Sequence, residues 1–180
     1  MEIKLTDLAK ELMANGIKDP ANQEQYASFT PFQGTPASAG FDILACIDEP
    51  KKIAFGETLL VPCGFHLHIK DPNLVGKLYV RSSVGTKLGL VLANGTGIVD
   101  SDYQDEWMLA IKNTHDCVRT IYPAQRLAQV VFTPVVHPMF YHVEEFTTES
   151  ERIGGFGSTD SAKMTKHKLQ LPNDGKTYEG

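Results

Sequence analysis

The residues whose types and spacing best suit chemistry lie between Asn94 and Asn113, NGTGIVDSDYQDEWMLAIKN. Asp100, Asp102, Asp105 and Glu106 crowd carboxylates into this stretch, and Tyr103 sets a ring among them. A carboxylate can activate a water, and a ring can pack on a sugar or a base. Gly95 and Gly97 permit a tight bend or a close approach of backbone to a ligand. Ile98 and Val99 read as strand, and on its continuation Asp100 and Asp102 share one face while Ser101 and Tyr103 share the other. Trp107 to Ile111 is a short apolar run suited to a buried strand. The spacing therefore predicts a hairpin with an acid and a ring near its turn. A surface hairpin with solvated acids fits the same residues.

Two other segments offer anion-binding chemistry. Arg81-Ser82-Ser83 ends a strand and enters a turn containing Gly85. A guanidinium, two hydroxyls and free backbone N–H groups make an anion cradle, although a solvated turn has the same composition. Gly154-Gly155-Phe156-Gly157-Ser158-Thr159 combines N–H donors, hydroxyls and one ring able to close over a base. A glycine linker is the plainer reading. Two anion cradles, a carboxylate hairpin with a tyrosine and no metal cage suit a nucleotide phosphate ester attacked by water.

Other chemistries are disfavoured. Asp100-Ser-Asp102-Tyr-Gln104-Asp105 lacks the glycine that a calcium loop needs at its sixth position and the glutamate at its twelfth. Gly95-Thr-Gly97 lacks the third glycine and the helix of a dinucleotide fingerprint, and no glycine cluster leads to a Walker lysine. No G-x-S-x-G elbow occurs. His66 and His68 share a strand face but have no third ligand nearby, and read as surface histidines. Cys46 and Cys63 read as small core residues.

The elements that must position these residues are mostly strands. The chain has 180 residues, is 42% hydrophobic and carries a net charge of −5. That is enough for one domain with a real core, and no basic block invites a nucleic-acid duplex. Three widely spaced cysteines suggest a reducing, cytoplasmic setting without a disulfide framework. No apolar run is long enough for a membrane span, and no secretory signal opens the chain. Ile3, Leu5, Leu8, Leu12, Met13 and Ile17 recur at helical spacing, with Thr6 or Asp7 as cap and Asn15-Gly16 as stop. This helix reads as a packing or oligomer-contact element. Lys18 to Gln33 reads as a polar connector. Short apolar or alternating runs divided by turn residues then predict an all-β barrel or sandwich up to Phe146. Residues 163–180 read as a polar tail.

Five stretches, in order, resemble the five motifs of the trimeric dUTP pyrophosphatases (dUTPases). They are Ala39-Gly-Phe-Asp42-Ile-Leu-Ala45, Arg81-Ser-Ser-Val-Gly85, Gly97-Ile-Val-Asp100-Ser-Asp-Tyr103, Arg126-Leu-Ala-Gln129 and Gly154-Gly-Phe-Gly-Ser-Thr159. Five motifs in register are highly specific. The resemblance covers roughly residues 32–160 and leaves the N-terminal helix and the tail outside.

The resemblance implies an all-β, jelly-roll-type β-barrel over residues 32–147. An added helical extension would occupy 1–31, and a C-terminal arm 148–180. It implies a homotrimer with active sites at subunit interfaces, the fifth motif reaching over from a third chain. The reaction would be dUTP plus water to dUMP and pyrophosphate with Mg2+ on the triphosphate. That reaction limits uracil in DNA and supplies dUMP for dTMP synthesis. Asp100 would be the catalytic base, and Asp42 would hold magnesium through water. Arg81, Ser82, Ser83 and Gln129 would meet phosphates. Asn94, Gly97, Ile98 and Val99 would read uracil, with Tyr103 on the deoxyribose and Met108 lining the pocket. Arg152, Phe156, Gly157 and Ser158 would form the closing arm. The chain differs from the pattern at Asp105 and Asp160, each in a glycine's place, and in the shorter Arg152–Phe156 spacing. The related dCTP deaminases need a glutamate on the strand after the third motif, and Trp107 to Lys112 has none. A trimer that binds nucleotide and acts only through a partner is a further reading; the intact Asp100, Arg81 and Gln129 speak against it.

Overall fold

The computed structural model describes residues 1–148, 169–170 and 177–178. The chain forms two compact units, Met1–His137 and Pro138–Gly180.

The first unit opens with strand β1 (Glu2–Leu5) and helix α1 (Asp7–Ala14). The helix is shorter than the apolar spacing predicts. Ile3 and Leu5 sit opposite Leu67 and Phe65 in an antiparallel pair, so sheet pairing overrides the local helical period. Thr6 caps the helix by accepting from the Ala9 amide at 3.3 Å, and Asn15 closes it. The helix lands on Gly64, whose carbonyl accepts from the Thr6 amide at 3.0 Å. Gly64 has φ +80°, and a Cβ there would lie 2.8 Å from the Cys46 Cβ and 3.1 Å from that of Ala9. Glycine is therefore required at this point for both conformation and space.

The expected connector from Lys18 to Gln33 is instead partly ordered into strands. β2 (Lys18–Asp19) and β3 (Asn22–Tyr26) make a small antiparallel hairpin, and β4 (Phe32–Gln33) joins a larger sheet. The Lys18 ammonium lies 3.2 Å from the centroid of the Tyr26 ring, which helps hold the hairpin shut.

The remaining strands of this unit are β5 (Phe41–Leu44), β6 (Lys51–Ile53), β7 (Thr58–His68) and β8 (Leu74–Val80). Helix α2 (Ser82–Leu88) follows, then β9 (Leu90–Leu92), β10 (Gly97–Val99), β11 (Glu106–Asn113), β12 (Arg119–Ile121) and β13 (Arg126–Pro134). One sheet runs β1-β7-β11-β9 and another β10-β8-β13-β5-β4, with β12 and β6 paired separately. Among the described residues the protein is thus mostly β with two short helices, as the turn-punctuated sequence predicts. One hydrophobic cluster takes Val61, Phe65, Leu109 and Ile111 from the first sheet and Ile43, Leu78 and Val130 from the second. Trp107, Leu109 and Ile111 alternate inward along β11 and are at most 1% exposed, each contributing about 1.5–3 kcal/mol of burial. Cys46 and Cys63 are buried core residues.

In the second unit β14 (Leu169–Gln170) and β15 (Thr177–Tyr178) pair antiparallel.

Candidate active site

Two clefts in the first unit collect the chemistry-bearing residues. The first, about 280 Å³, is lined by Asn94, Gly97, Ile98, Val99, Asp100, Tyr103 and Met108 over a floor of Leu78, Leu92, Trp107 and Ala110. The hairpin expected between Ile98-Val99 and Trp107–Ile111 does not form. β10 pairs with β8, whereas β11 pairs with β7 and β9 in the other sheet. The Asn94–Tyr103 segment bridges two sheets, which opens a cleft where a hairpin would have closed one.

Asp100 and Tyr103 also do not lie on opposite strand faces. The backbone turns after Val99, the Tyr103 amide donating to the Asp100 carbonyl at 3.2 Å, so both side chains line one cleft. The Tyr103 hydroxyl donates to the Glu106 carbonyl at 3.2 Å, which orients the ring. The turn is anchored from outside by the Lys70 amide, 3.1 Å from the Ser101 carbonyl. A Cβ on Gly97 would lie 2.9 Å from the Leu78 Cβ, so only glycine lets β10 lie this close to β8. The cleft pairs an apolar floor with one exposed carboxylate, an oriented ring and backbone polar groups. Such a lining suits a heterocycle with its sugar.

The second cleft, about 440 Å³, includes Gly34, Ser38, Asp42, Arg81, Ser82 and Gln129. Arg81 does not enter a plain turn. It occupies the N-cap position of α2, whose end is closed by Gly89 in the left-handed region at φ +63°. The first-turn amides of Ser82 and Ser83 have no intrahelical carbonyl to bond. Arg81 Nε lies 3.0 Å from Asp42 Oδ1, and Arg126 Nη1 lies 3.4 Å from Asp42 Oδ2. The Gln129 side chain occupies the space a Cβ on Gly40 would need, its Cδ lying 3.0 Å from that point. Gly40 thereby leaves room for the Gln129 carboxamide in the cleft that Arg81 also lines. Planar cationic and amide donors grouped this way suit phosphate oxygens.

Of the residues the sequence singles out, Ser83 lines neither cleft, and Arg152, Phe156, Gly157 and Ser158 lie outside the described residues. Sequence reasoning gave Arg126 no role and passed over Asp19. His66 has its Nδ1 3.1 Å from the Gln104 carbonyl oxygen. Among the described residues the one three-ligand grouping is His115, Asp116 and Cys117, exposed in the turn between β11 and β12 and outside both clefts.

The two clefts of one chain share no lining residue. Val99, next to Asp100, pairs with Gly76 near the start of β8, whereas Arg81 follows Val80 at its end. Arg81 lies five residues beyond Gly76, about 17 Å of backbone.

The family model described as dUTPase matches residues 28–160. The chain is 46% identical over 143 residues to the deoxyuridine 5'-triphosphate nucleotidohydrolase of Janthinobacterium sp. (strain Marseille), covering 79% of this chain and 93% of that protein. It is 47% identical over 127 residues to the enzyme of the same description from Sodalis glossinidius, covering 71% and 84%. Among solved structures it is similar to the dUTPase of Staphylococcus bacteriophage 80alpha with dUpNHpp, at a TM-score of 0.68 and 25% identity over 87% of this chain and 96% of that one. The dUTPase of S. aureus phage phi11, described as coordinating a structural Mg(II) ion, is 21% identical with a TM-score of 0.63, covering 82% and 98%.

Proposed function

The chain belongs to the dUTPase family, and from that premise we propose that it hydrolyses dUTP to dUMP and pyrophosphate at sites shared between subunits of a homotrimer. The carrying observation is the division of one set of chemistry between two clefts. The exposed Asp100 and the oriented Tyr103 share the nucleoside-sized cleft, and Arg81, Ser82, Gln129 and Asp42 share the phosphate-type cleft. A triphosphate is far shorter than the separation along β8, so the Asp100 of one protomer would work with the Arg81 of another.

In this reading Asn94 and the backbone of Gly97 to Val99 read the edge of uracil, and the narrow cleft has no room for a 5-methyl group. Tyr103 packs on the deoxyribose and occupies the space of a 2′-hydroxyl. Met108 lines the nucleoside wall. Asp100 orients a water and takes its proton as the water oxygen bonds the α-phosphorus and the bond to the bridging oxygen breaks. Arg81, Ser82 and Gln129 hold the phosphates and offset charge on the departing pyrophosphate. The arm residues Arg152, Phe156, Gly157 and Ser158, with Ser83 near the phosphates, complete the set by family analogy.

Asp42 is the one carboxylate lining the phosphate-type cleft, and each of its oxygens already faces a guanidinium. A hard cation needs six or more oxygens. The residues therefore fit Mg2+ held mainly by the triphosphate, with Asp42 accepting hydrogen bonds from its waters. When bound, the ion would neutralise phosphate charge.

We read the two sheets as a jelly-roll-type barrel over 32–147, with an N-terminal extension and a C-terminal arm. The cellular roles would be limiting uracil in DNA and supplying dUMP for dTMP, in the cytoplasm. The test is a product assay with Mg2+ on dUTP, dCTP, dTTP and UTP. Pyrophosphate from dUTP alone supports the reading. A uracil nucleotide formed from dCTP, or binding of dUTP without turnover, contradicts it.

A further inference from the structure

The N-terminal segment lies outside the matched family region, yet it enters the phosphate-type cleft's charge network. Asp19 on β2 is 1% exposed. Its Oδ1 accepts from the Ala21 amide at 2.8 Å. Its Oδ2 accepts from Arg126 Nε at 2.7 Å and from Arg126 Nη2. Toward Asp42, Arg126 makes a single contact, from Nη1 at 3.4 Å, while Asp42 Oδ1 takes Arg81 at 3.0 Å. The Arg126 guanidinium is further fixed 4.8 Å over the ring of Phe32. Asp19, Arg126, Asp42 and Arg81 form one row of alternating charges running from the N-terminal hairpin to the cleft.

The geometry of this row carries a functional consequence. An arginine that can offer two parallel N–H groups to a carboxylate does so, because the bidentate pair is the stronger one. Asp19 holds the Nε and Nη2 edge of the fork and so fixes the guanidinium in an orientation that gives Asp42 one contact, from Nη1, rather than a bidentate pair. Asp42 keeps its contact with Arg81 while lining the cleft. We propose that Asp19 is a positioning residue of the active site, holding Arg126 so that Asp42 and Arg81 are set for the triphosphate. The N-terminal hairpin is on this account part of the phosphate-binding apparatus rather than only a packing extension. The inference rests on the dUTP reading of the two clefts.

The test uses the full-length protein with Asp19→Asn, which keeps the volume and removes the charge. Calorimetry measures binding of dUMP and of a non-hydrolysable dUTP analogue, and steady-state kinetics give kcat and KM for dUTP. Asp19→Asn should weaken the triphosphate analogue and lower kcat/KM by about tenfold or more, with dUMP affinity unchanged because the nucleoside cleft is untouched. Asp19→Glu, which restores the charge on a longer stem, should recover part of the loss. A purely structural role would lower Tm and weaken both ligands alike. Wild-type triphosphate affinity in Asp19→Asn overturns the proposal. If that variant does not fold, Asp19→Glu carries the comparison: a selective triphosphate defect supports the role, and wild-type values for both ligands overturn it. A wild-type protein that neither binds nor hydrolyses dUTP would sink the functional reading itself, whereas an active wild type with an indistinguishable Asp19→Asn sinks only the role of Asp19.

Discussion

Asp100 and Arg81 stand toward opposite ends of β8 in the same chain, Asp100 directly after Val99, which pairs with Gly76, and Arg81 directly after Val80. The proposed base and the proposed phosphate-binding guanidinium are therefore separated by about 17 Å of strand. In the proposed reading the Asp100 of one copy works with the Arg81 of another, which would make oligomerisation a condition of activity.

Asp100→Asn should lower kcat by about a thousandfold. A non-hydrolysable dUTP analogue should still bind near wild-type affinity, because the change removes water activation and little ground-state contact. Stopped-flow turnover and calorimetry check the two halves. Undiminished turnover would remove Asp100 from the mechanism.

Tyr103→Ala should relax discrimination between dUTP and UTP by about 10–100-fold in the ratio of kcat/KM values. Tyr103→Phe removes only the hydroxyl bond to the Glu106 carbonyl, so it should keep most of the discrimination. Competition kinetics with the two nucleotides decide the point, and an unchanged ratio in the alanine variant would place the sugar elsewhere.

Gly40→Ala should expel the Gln129 carboxamide from its place, since the added carbon falls onto that side chain. The expected result is a fall in kcat/KM for dUTP of about ten- to a hundredfold with dUMP binding retained. Equal losses for both ligands would point to general disruption of the fold.

Burial pushes the Cys46 thiol up to about 11 and holds Cys63 well above the ordinary thiol range. Both stay neutral in the folded state where the unfolded chain ionises. The Cys46 contribution to stability is full below pH 9 and is lost as pH rises through about 11, and Cys63 acts in the same direction. Tm should therefore fall across this window, and less steeply in a Cys46→Ala, Cys63→Ala variant. Of the three free cysteines only Cys117 is exposed, so a thiol reagent at pH 8 should modify one per native chain quickly and the others on denaturation.

Much of this was legible in the sequence where local pattern and final structure agree. Thr6 caps its helix as its position suggests, and the apolar run Trp107–Ile111 lies in strand β11 and buries Trp107, Leu109 and Ile111. Asp100, Tyr103 and Arg81 were singled out by type and spacing, and Asn94, Met108 and Gln129 through the motif resemblance, whereas the cleft residues Gly34, Ser38, Leu78 and Leu92 were given no site role. Pairing was the illegible part. Gly97–Val99 and Glu106–Asn113 are close in sequence and read as partners, but each finds a distant strand and the segment between them spans two sheets. Register with a distant neighbour is set by burial across the whole core, which a local window does not contain. Asp19 was passed over for a similar reason. It lies in a polar stretch, and its partner Arg126 stands 107 residues away.

The most direct measurement is complementation between two inactive variants, Asp100→Asn and Arg81→Ala, co-expressed in equal amounts and assayed on dUTP. If the base and the guanidinium of each site come from different chains, random mixed trimers should recover about a quarter of wild-type activity, since one site in four receives both native residues. If one chain supplied both, no mixed site would be complete, and activity no higher than that of the separate variants would contradict the shared-site account.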